Sequence, residues 1–222
     1  MAGKMTRSDA VEKRASPTVK RTKPKWGNPQ TIEDQHRSKR EALFLTAARA
    51  FNEAGFHNTT LDDIAARLHV AKPTLYYYVK NKDDILLECH RLAFAHMQDA
   101  IEETKRSSQT GMEKAHTFLL AYMELVCNPF GQCIIRTGLQ PLTPQSRAKL
   151  LPIARRINAS LQEIIRQGVD DGSIRECDIK LTTNAILGCF NSVAFWYNEG
   201  GTLKPADITL KYMDLFLDGL SP

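Results

Sequence analysis

The sequence lacks a long hydrophobic run, and no apolar stretch approaches the ~18 residues that a membrane-spanning helix needs. Its five cysteines are scattered and form no Cys-x-x-Cys pair, which favours reduced thiols over a disulfide framework. Five histidines between residues 57 and 116 show no i, i+4 pair, so we expect no metal site. The basic N-terminus has no apolar signal-peptide core, which predicts a cytoplasmic chain with no membrane partner.

The positive charge is concentrated in the N-terminal third. Residues 1–30 carry a net charge of +6, residues 36–80 carry +3, and residues 81–222 carry −2. This division is expected if the N-terminal end binds a polyanion and the remainder does not. Residues 1–35 are predicted to form a disordered basic arm, because they hold too little apolar area to offset the entropy of ordering. The arm is either a solvated tail or a source of phosphate and minor-groove contacts.

The fold class is predicted to be all-α. Apolar residues recur at helical spacing from Ile32 onward, and no convincing strand pattern interrupts them. In the C-terminal part we predict helices over 85–104, 112–126 and 147–169, chain breaks at 128–131, Pro141 and Pro144, and two last helices that begin after Asp178 and at Pro205.

Residues 60–82 carry the pattern of a helix-turn-helix, in which two short helices are joined by a tight turn. Thr60 and Asp63 have the spacing of a capping box, and Pro73 suits only the first turn of a helix. The second helix is divided into two sides. Leu75 and Val79 are apolar anchors at i and i+4, whereas the other side offers hydrogen-bond donors to DNA. These donors are Lys72, Thr74, Tyr76 and Tyr77.

The segment from Thr60 to Leu86 resembles the DNA-binding segment of TetR-type repressors, and the match is dense from Ala42 to Leu86. The resemblance implies a helix-turn-helix DNA-binding domain over 36–82 and an all-helical ligand-binding and dimerisation domain over 83–222. It also implies a homodimer that binds a palindromic DNA operator and is released by a small-molecule effector.

The same resemblance implies roles for individual residues. In the family, the positions of Thr60, Tyr76 and Lys82 contact phosphates, those of Lys72, Pro73, Thr74 and Tyr77 face bases, and Tyr78 is shared between the core and the DNA backbone. Two positions depart from the usual pattern. His69 stands where Gly is common, and Ala71 stands where Ser often caps the helix.

The C-terminal part is similar to regulators of lipid or sterol catabolism, several of which sense acyl-CoA esters, through residues 131–138, 171–175 and 185–201. Arg136 lies in this part and is a candidate for binding an anionic group of the ligand, or alternatively for pairing with Glu124 or another carboxylate. The resemblance further implies a four-helix dimer interface built from residues 147–169 and 178–197.

Other classes of function remain open from the residues alone. An acyl-thioester-handling enzyme is disfavoured, because the sequence has no paired carboxylates, no nucleophile beside a base, and no phosphate-binding glycine loop. An architectural protein would coat DNA without sequence preference. Cys127 and Cys133 flank a Pro-Gly segment and are either a redox pair or packed thiols. No cofactor is predicted.

Overall fold

A computed structural model describes residues 32–218 of the chain, and these residues form α-helices and no strand, which confirms the all-α fold. Residues 1–31 of the predicted arm lie outside the described residues. Residues 32–35, which were also predicted to belong to the arm, are instead part of the first helix. The helices are α1 (Ile32–Ala54), α2 (Leu61–Arg67), α3 (Lys72–Tyr78), α4 (Lys82–Arg106), α5 (Gly111–Cys127), α6 (Pro129–Thr137), α7 (Pro144–Asp170), α8 (Ile179–Trp196) and α9 (Pro205–Asp218).

Helices α1 to α3 form a small unit that we call the head. Gly55 ends α1 with a φ of 84°, a left-handed conformation that glycine adopts without a steric penalty. One large apolar side chain from each helix fills the centre of the head. Phe44 of α1, Ile64 of α2 and Leu75 of α3 are each 2% exposed or less, so their burial holds the short α2 and α3 against α1.

Helices α4 to α9 form a second unit that we call the body. Its central helix is α5, which packs against α4, α6, α7, α8 and α9. Most side chains of α5 are therefore buried, including Phe118, Leu119 and Met123. No single helix within residues 32–218 is both long and apolar enough to cross a membrane, and α5 with α6 reaches that length only across an 82° bend.

Helix α4 belongs to both units. Its first turns pack against α1, where Ile85 and Leu86 are completely buried. Its later turns pack against α5 and α7, where Met97 and Ile101 are buried. The buried apolar residues consequently form one continuous cluster from α1 to α9. The head and the body share a core rather than possessing one each.

The predicted chain break at residues 128–131 is confirmed at Asn128, where the chain bends by 82° between α5 and α6, but a helix resumes at once with Pro129. Pro129 occupies the first turn of α6, where a proline needs no hydrogen bond, and the Asn128 side chain accepts a hydrogen bond of 2.9 Å from the Phe130 amide. Gly131 is needed for close approach, because a Cβ atom there would lie 1.8 Å from the Leu125 carbonyl oxygen. Pro144 likewise begins a helix, α7, and does not merely interrupt the chain.

Candidate DNA-binding surface and cavity of the body

The capping box at the start of α2 forms as the sequence predicts. The Thr60 hydroxyl accepts a hydrogen bond of 3.1 Å from the Asp63 amide, and the Asp63 carboxylate accepts one of 2.8 Å from the Thr60 amide. The hydrogen bonds that the Asp63 carboxylate accepts from the Thr60 hydroxyl and the Thr60 amide lower the pKa of the Asp63 carboxyl. The side chain of Thr60 is exposed, but its hydroxyl also donates to Asp63 at 2.7 Å. A phosphate contact from that hydroxyl would therefore replace an internal hydrogen bond.

The turn between α2 and α3 uses the two unusual residues of the sequence. His69 has a φ of 55° and is the one residue other than glycine with a positive φ among residues 32–218. Histidine tolerates this left-handed conformation better than β-branched residues do, so the turn forms without a glycine. Ala71 is the N-cap of α3 and supplies no side-chain hydrogen bond. The first turn of α3 is consequently closed by backbone geometry and Pro73 alone.

Helix α3 has the two sides that the sequence predicts. Leu75 and, just after the helix, Val79 are 1% and 3% exposed and pack into the core of the head. Tyr76 and Tyr77 are 52% and 74% exposed, and Tyr78 is half-buried against the core. The rings of Tyr77 and Tyr78 meet edge to face with centroids 5.1 Å apart. The outer side is completed by the exposed side chains of Lys72, Pro73 and Thr74.

Both lysines of the predicted DNA-binding set already have partners within the protein. Lys72 forms an exposed ion pair of 2.5 Å with Asp62 of α2. The Lys82 ammonium donates to the carbonyl of Phe56 at 2.7 Å and lies 4.6 Å from the centre of the Phe56 ring. It thereby fastens the loop after α1 to the start of α4. Local sequence patterns do not reveal this second contact, because Lys82 is 26 residues from Phe56.

The body contains a partly open cavity of about 230 Å³ that we call the inner cavity. Helices α4, α5, α6, α7 and α8 and the loop after α6 all contribute to its wall, which is predominantly apolar. No lysine, arginine, aspartate or glutamate is among the described residues that line it. These residues are His90, Phe94, Tyr122, Leu125, Ile134, Ile135, Leu139, Ala154, Ile157, Asn158, Leu187 and Asn191.

The polar groups of the inner cavity are uncharged and only partly paired. His90 is 2% exposed, and burial lowers its pKa to about 4. Its Nδ1 lies 2.7 Å from the Leu86 carbonyl oxygen, which can only accept a hydrogen bond. The neutral ring therefore carries its proton on Nδ1. The Tyr122 hydroxyl donates to the Asn191 side-chain oxygen at 2.7 Å, and Gln162 donates to the Asn158 side-chain oxygen at 2.6 Å.

A groove of about 190 Å³ shares two lining residues with the inner cavity. Phe94 and Ile157 line both spaces, so the groove and the inner cavity are neighbours. Arg156 lies along the groove and forms an ion pair with Glu102 of α4. The charged groups on this side of the body thus lie outside the inner cavity.

Arg136, the predicted ligand-binding residue, does not line the inner cavity but joins three helices. From α6, its Nε donates to the Ala194 carbonyl in the last turn of α8 at 2.7 Å, and its Nη1 donates to the Asn52 carbonyl in the last turn of α1 at 3.0 Å. Carbonyls at helix C-termini lack helical partners and form the negative end of the helix dipole, so a cation is favourable there. These carbonyls take the place of the alternative partner, Glu124. Arg136 thereby connects the head to the body.

The cysteine thiols are free in the part of the chain that the structure describes. Burial raises the pKa of Cys127 to about 12, and a hydrogen bond with Cys133, together with burial, raises that of Cys89. A raised pKa disfavours the thiolate, which is the nucleophilic form of cysteine. The thiols of Cys127 and Cys89 are therefore suited to packing and not to redox exchange. No group of three metal-ligating side chains occurs within residues 32–218.

Two family models match the chain. Residues 43–89 match the model of bacterial regulatory proteins of the tetR family, and residues 108–220 match that of the tetracyclin repressor-like C-terminal domain. The first model covers the second half of α1, α2, α3 and the first turns of α4. The second begins just before α5 and includes all of α9, so the two models cover parts of both the head and the body.

The regions matched in similar proteins and structures include almost the whole length of those proteins. The fatty acid metabolism regulator protein of Bacillus subtilis is 24% identical over 189 residues, which are 84% of this chain and 97% of that protein. The structure of the TetR-family regulator PfmR from Thermus thermophilus has a TM-score of 0.73 and is 28% identical, covering 81% of this chain and 99% of its own. AibR, solved in complex with isovaleryl coenzyme A and operator DNA, has a TM-score of 0.70 at 20% identity over 80% and 97% of the two chains.

Proposed function

Because this chain belongs to the TetR family of bacterial regulatory proteins, we propose that it is a dimeric transcriptional repressor that an acyl ester releases from a palindromic operator. The observation that carries the proposal is the pair of sites in one fold. Helix α3 has an exposed polar side, and Leu75 on its opposite side packs into the core of the head. The body has a cavity without charged lining residues, and α4, which packs against α1 of the head, forms part of its wall. Proteins of this family are regulators and not enzymes, which removes the enzymatic alternative.

The exposed side of α3 is the part of the head that would enter the major groove. We assign base contacts to Lys72, Pro73, Thr74 and Tyr77, because their side chains are exposed on one short helix. Phosphate contacts are assigned to Thr60, Tyr76 and Lys82, with Tyr78 placed between the core and the DNA backbone. Lys72 would exchange Asp62 for a base or phosphate group, a change of low cost for an exposed ion pair.

Selection from a pool of random duplexes tests this assignment against that of an architectural protein. We expect enrichment of one palindrome whose half-sites face the same side of the duplex. Thr74→Ala and Tyr77→Phe should change the enriched bases. Lys80→Ala, which removes an exposed positive charge just after α3, should weaken binding to every duplex equally. A pool that shows no enriched sequence would identify a non-specific DNA-coating protein instead.

A charge-free stripe on α8 supports the dimer. Phe195 and Trp196 are 63% and 49% exposed, and Leu181 at the other end of the helix is 66% exposed. Small side chains occupy the exposed positions between them, which allows close approach of a second helix. At spacings of i, i+4, i+7, i+11 and i+14, the stripe comprises Leu181, Ala185, Gly188, Ser192 and Phe195.

Sedimentation of a Phe195→Glu variant tests the dimer. We expect a monomer, since a carboxylate placed in an apolar interface would be desolvated without a partner. Leu203→Glu, at an exposed leucine before α9, is the matched control and should remain dimeric. A dimer of unchanged affinity in Phe195→Glu would move the interface away from this stripe.

The inner cavity supports an uncharged acyl portion as its ligand. AibR binds isovaleryl coenzyme A, an acyl thioester, and this chain has the same fold. A free fatty acid would bring a carboxylate into a wall that has no cation, at a large desolvation cost. The thioester group of an acyl-CoA is neutral. The charged nucleotide portion of the same molecule can remain in the groove lined by Arg156 or in water. We therefore expect esters to bind and free acids not to.

Helix α4 provides the route from the effector to DNA. It supplies His90 and Phe94 to the cavity wall and Lys82 to the loop of the head. A ligand that fits better when α4 is displaced would favour a dimer whose two heads are wrongly spaced for the operator. Binding without such a preference would not release DNA.

Anisotropy of a labelled operator tests the effector class. Octanoyl-CoA should release the operator, whereas octanoate at the same concentration should not. Coenzyme A alone is the control for binding of the nucleotide portion. Equal release by octanoate and octanoyl-CoA would contradict the role assigned to the uncharged wall.

A further inference from the structure

The polar groups of the inner cavity form a specific pattern of unused donors and acceptors. Nδ1 of His90 is occupied by the Leu86 carbonyl, so Nε2 carries a lone pair and can only accept. Nε2 has no hydrogen-bond partner among the described residues. The residue as a whole is 2% exposed, but Nε2 is not among the fully buried unpaired side-chain atoms of the described residues, so it is reached from the cavity. An acceptor in this state takes its donor from a molecule in the cavity, and a ligand that displaces water there must supply that donor itself.

The two asparagines of the wall supply the opposite kind of group. The side-chain oxygens of Asn158 and Asn191 accept from Gln162 and Tyr122, which orients both amide groups. The side-chain amide nitrogens of Asn158 and Asn191 can then donate hydrogen bonds to a ligand. The cavity therefore offers one neutral acceptor and two neutral donors on an otherwise apolar wall.

We propose that the effector is a hydroxylated acyl ester, whose hydroxyl donates a hydrogen bond to Nε2 of His90 while the amides of Asn158 and Asn191 supply donors for its carbonyl. A plain acyl chain satisfies the donors through its ester carbonyl but leaves Nε2 unpaired. Sites built around a buried polar group reject ligands that lack the matching group, because the protein group then loses its partner. The inference rests on the proposed function, which names the cavity as the effector site.

Calorimetry with the full chain tests the role of His90. The probes are octanoyl-CoA and its β-hydroxy and ω-hydroxy derivatives, which place the hydroxyl at opposite ends of the chain. We expect at least one hydroxylated probe to bind the unmodified protein about tenfold more tightly than octanoyl-CoA. His90→Phe keeps a ring of similar size but removes the acceptor, so the preference should vanish. His116→Phe, which makes the same change away from the cavity, should keep it.

A measurement on the unmodified protein covers the case of a variant that fails to fold. The ¹⁵N resonance of His90 Nε2 should shift when the preferred hydroxylated probe is added and should not shift with octanoyl-CoA. A hydroxyl preference that persists in His90→Phe, or an Nε2 resonance that never moves, would overturn the proposal.

The outcomes also separate this inference from the proposed function. If all three thioesters bind equally and release the operator, the hydroxyl assignment is wrong and the acyl-ester repressor stands. If none of the thioesters binds, the effector class itself is wrong, and the inference fails with it.

Discussion

The head and the body differ in the exposure of the polar groups assigned to binding. In the head, Thr60 pairs with Asp63 and Lys72 with Asp62, and these groups are exposed, so water can replace any partner. In the body, His90 is buried and Asn191 is half-buried, and each has one end of its side chain paired within the protein. An exposed paired group can exchange its partner for DNA at low cost, whereas a group that faces a cavity favours a ligand that pairs with its remaining end. We therefore expect the affinity of the head for DNA to depend strongly on salt, and the body to select its ligand by chemical structure.

The largest expected effect concerns whether the two regions fold as one unit. Gly131→Ala would place a Cβ atom 1.8 Å from the Leu125 carbonyl oxygen, so α5 and α6 must separate. We expect a loss of about 4 kcal/mol in the free energy of unfolding, measured by urea denaturation. Because the core is continuous, DNA binding should be lost at the same urea concentration. Gly200→Ala, where the nearest atom is 3.5 Å away, is the control. DNA binding that survives the unfolding of the body would show an independent head.

The next effect is acid sensitivity that arises in the body. The folded-state pKa of His90 is about 4, below its ordinary value of 6.5, so the unfolded chain takes up this proton first as the pH falls. The stability contributed by the neutral ring is complete above pH 6.5 and is lost as the pH falls toward 4. We expect a loss of about 3 kcal/mol from this residue between pH 7 and pH 4. The loss should be smaller by that amount in His90→Phe, measured by urea denaturation at both pH values. Identical pH profiles would refute burial of a neutral imidazole.

A third prediction concerns the connection between the regions. Arg136→Met keeps most of the side-chain volume but removes both hydrogen bonds to the ends of α1 and α8. The expected destabilisation is about 2 kcal/mol, since bonds from a charged donor are stronger than neutral ones. Operator release should also need more octanoyl-CoA, because the head is held less firmly to the body. Arg166→Met, which removes an exposed ion pair within α7, should change neither property.

The smallest effect belongs to the head. Lys82→Ala should weaken binding to all duplexes and reduce the slope of log affinity against log salt by about one. Loss of its contacts with the Phe56 carbonyl and ring should also cost about 1 kcal/mol of stability. Titrations at several salt concentrations separate the two parts, because only a phosphate contact changes the slope. An unchanged slope with lowered stability would show that Lys82 stabilises the head through Phe56 and does not contact a phosphate.

The sequence predicted the head more completely than the body, because the signals of the head are local. Thr60 and Asp63, or Leu75 and Val79, are three or four residues apart and act on one helix. The capping box, the left-handed His69 and the two sides of α3 could therefore be derived from neighbouring residues. The ion pair of Lys72 escaped prediction because Asp62 is ten residues away on another helix.

The body was predicted as helical, but its cavity was not. His90 and Asn191 meet on one wall although they lie far apart in the chain, and no periodic pattern marks such a meeting. Helix α6 was missed because Pro129 and Gly131 are typical of a break, and only packing shows that they begin a helix and allow α5 to approach. Arg136 was identified as a residue of interest, but its carbonyl partners come from the ends of two distant helices.

The continuity of α4 has a consequence for recombining such proteins. With 25 residues, α4 is about 37 Å long and has no joint between Lys82 and Arg106. A chimaera cut at residue 82 would attach a foreign head to an α4 whose Ile85 and Leu86 were shaped for a different α1. A graft that includes the first two turns of α4, with a junction after Cys89, would transfer the head together with the surface on which it rests. Exchange of operator specificity between relatives should therefore succeed at junctions inside this helix, and fail at the apparent domain boundary.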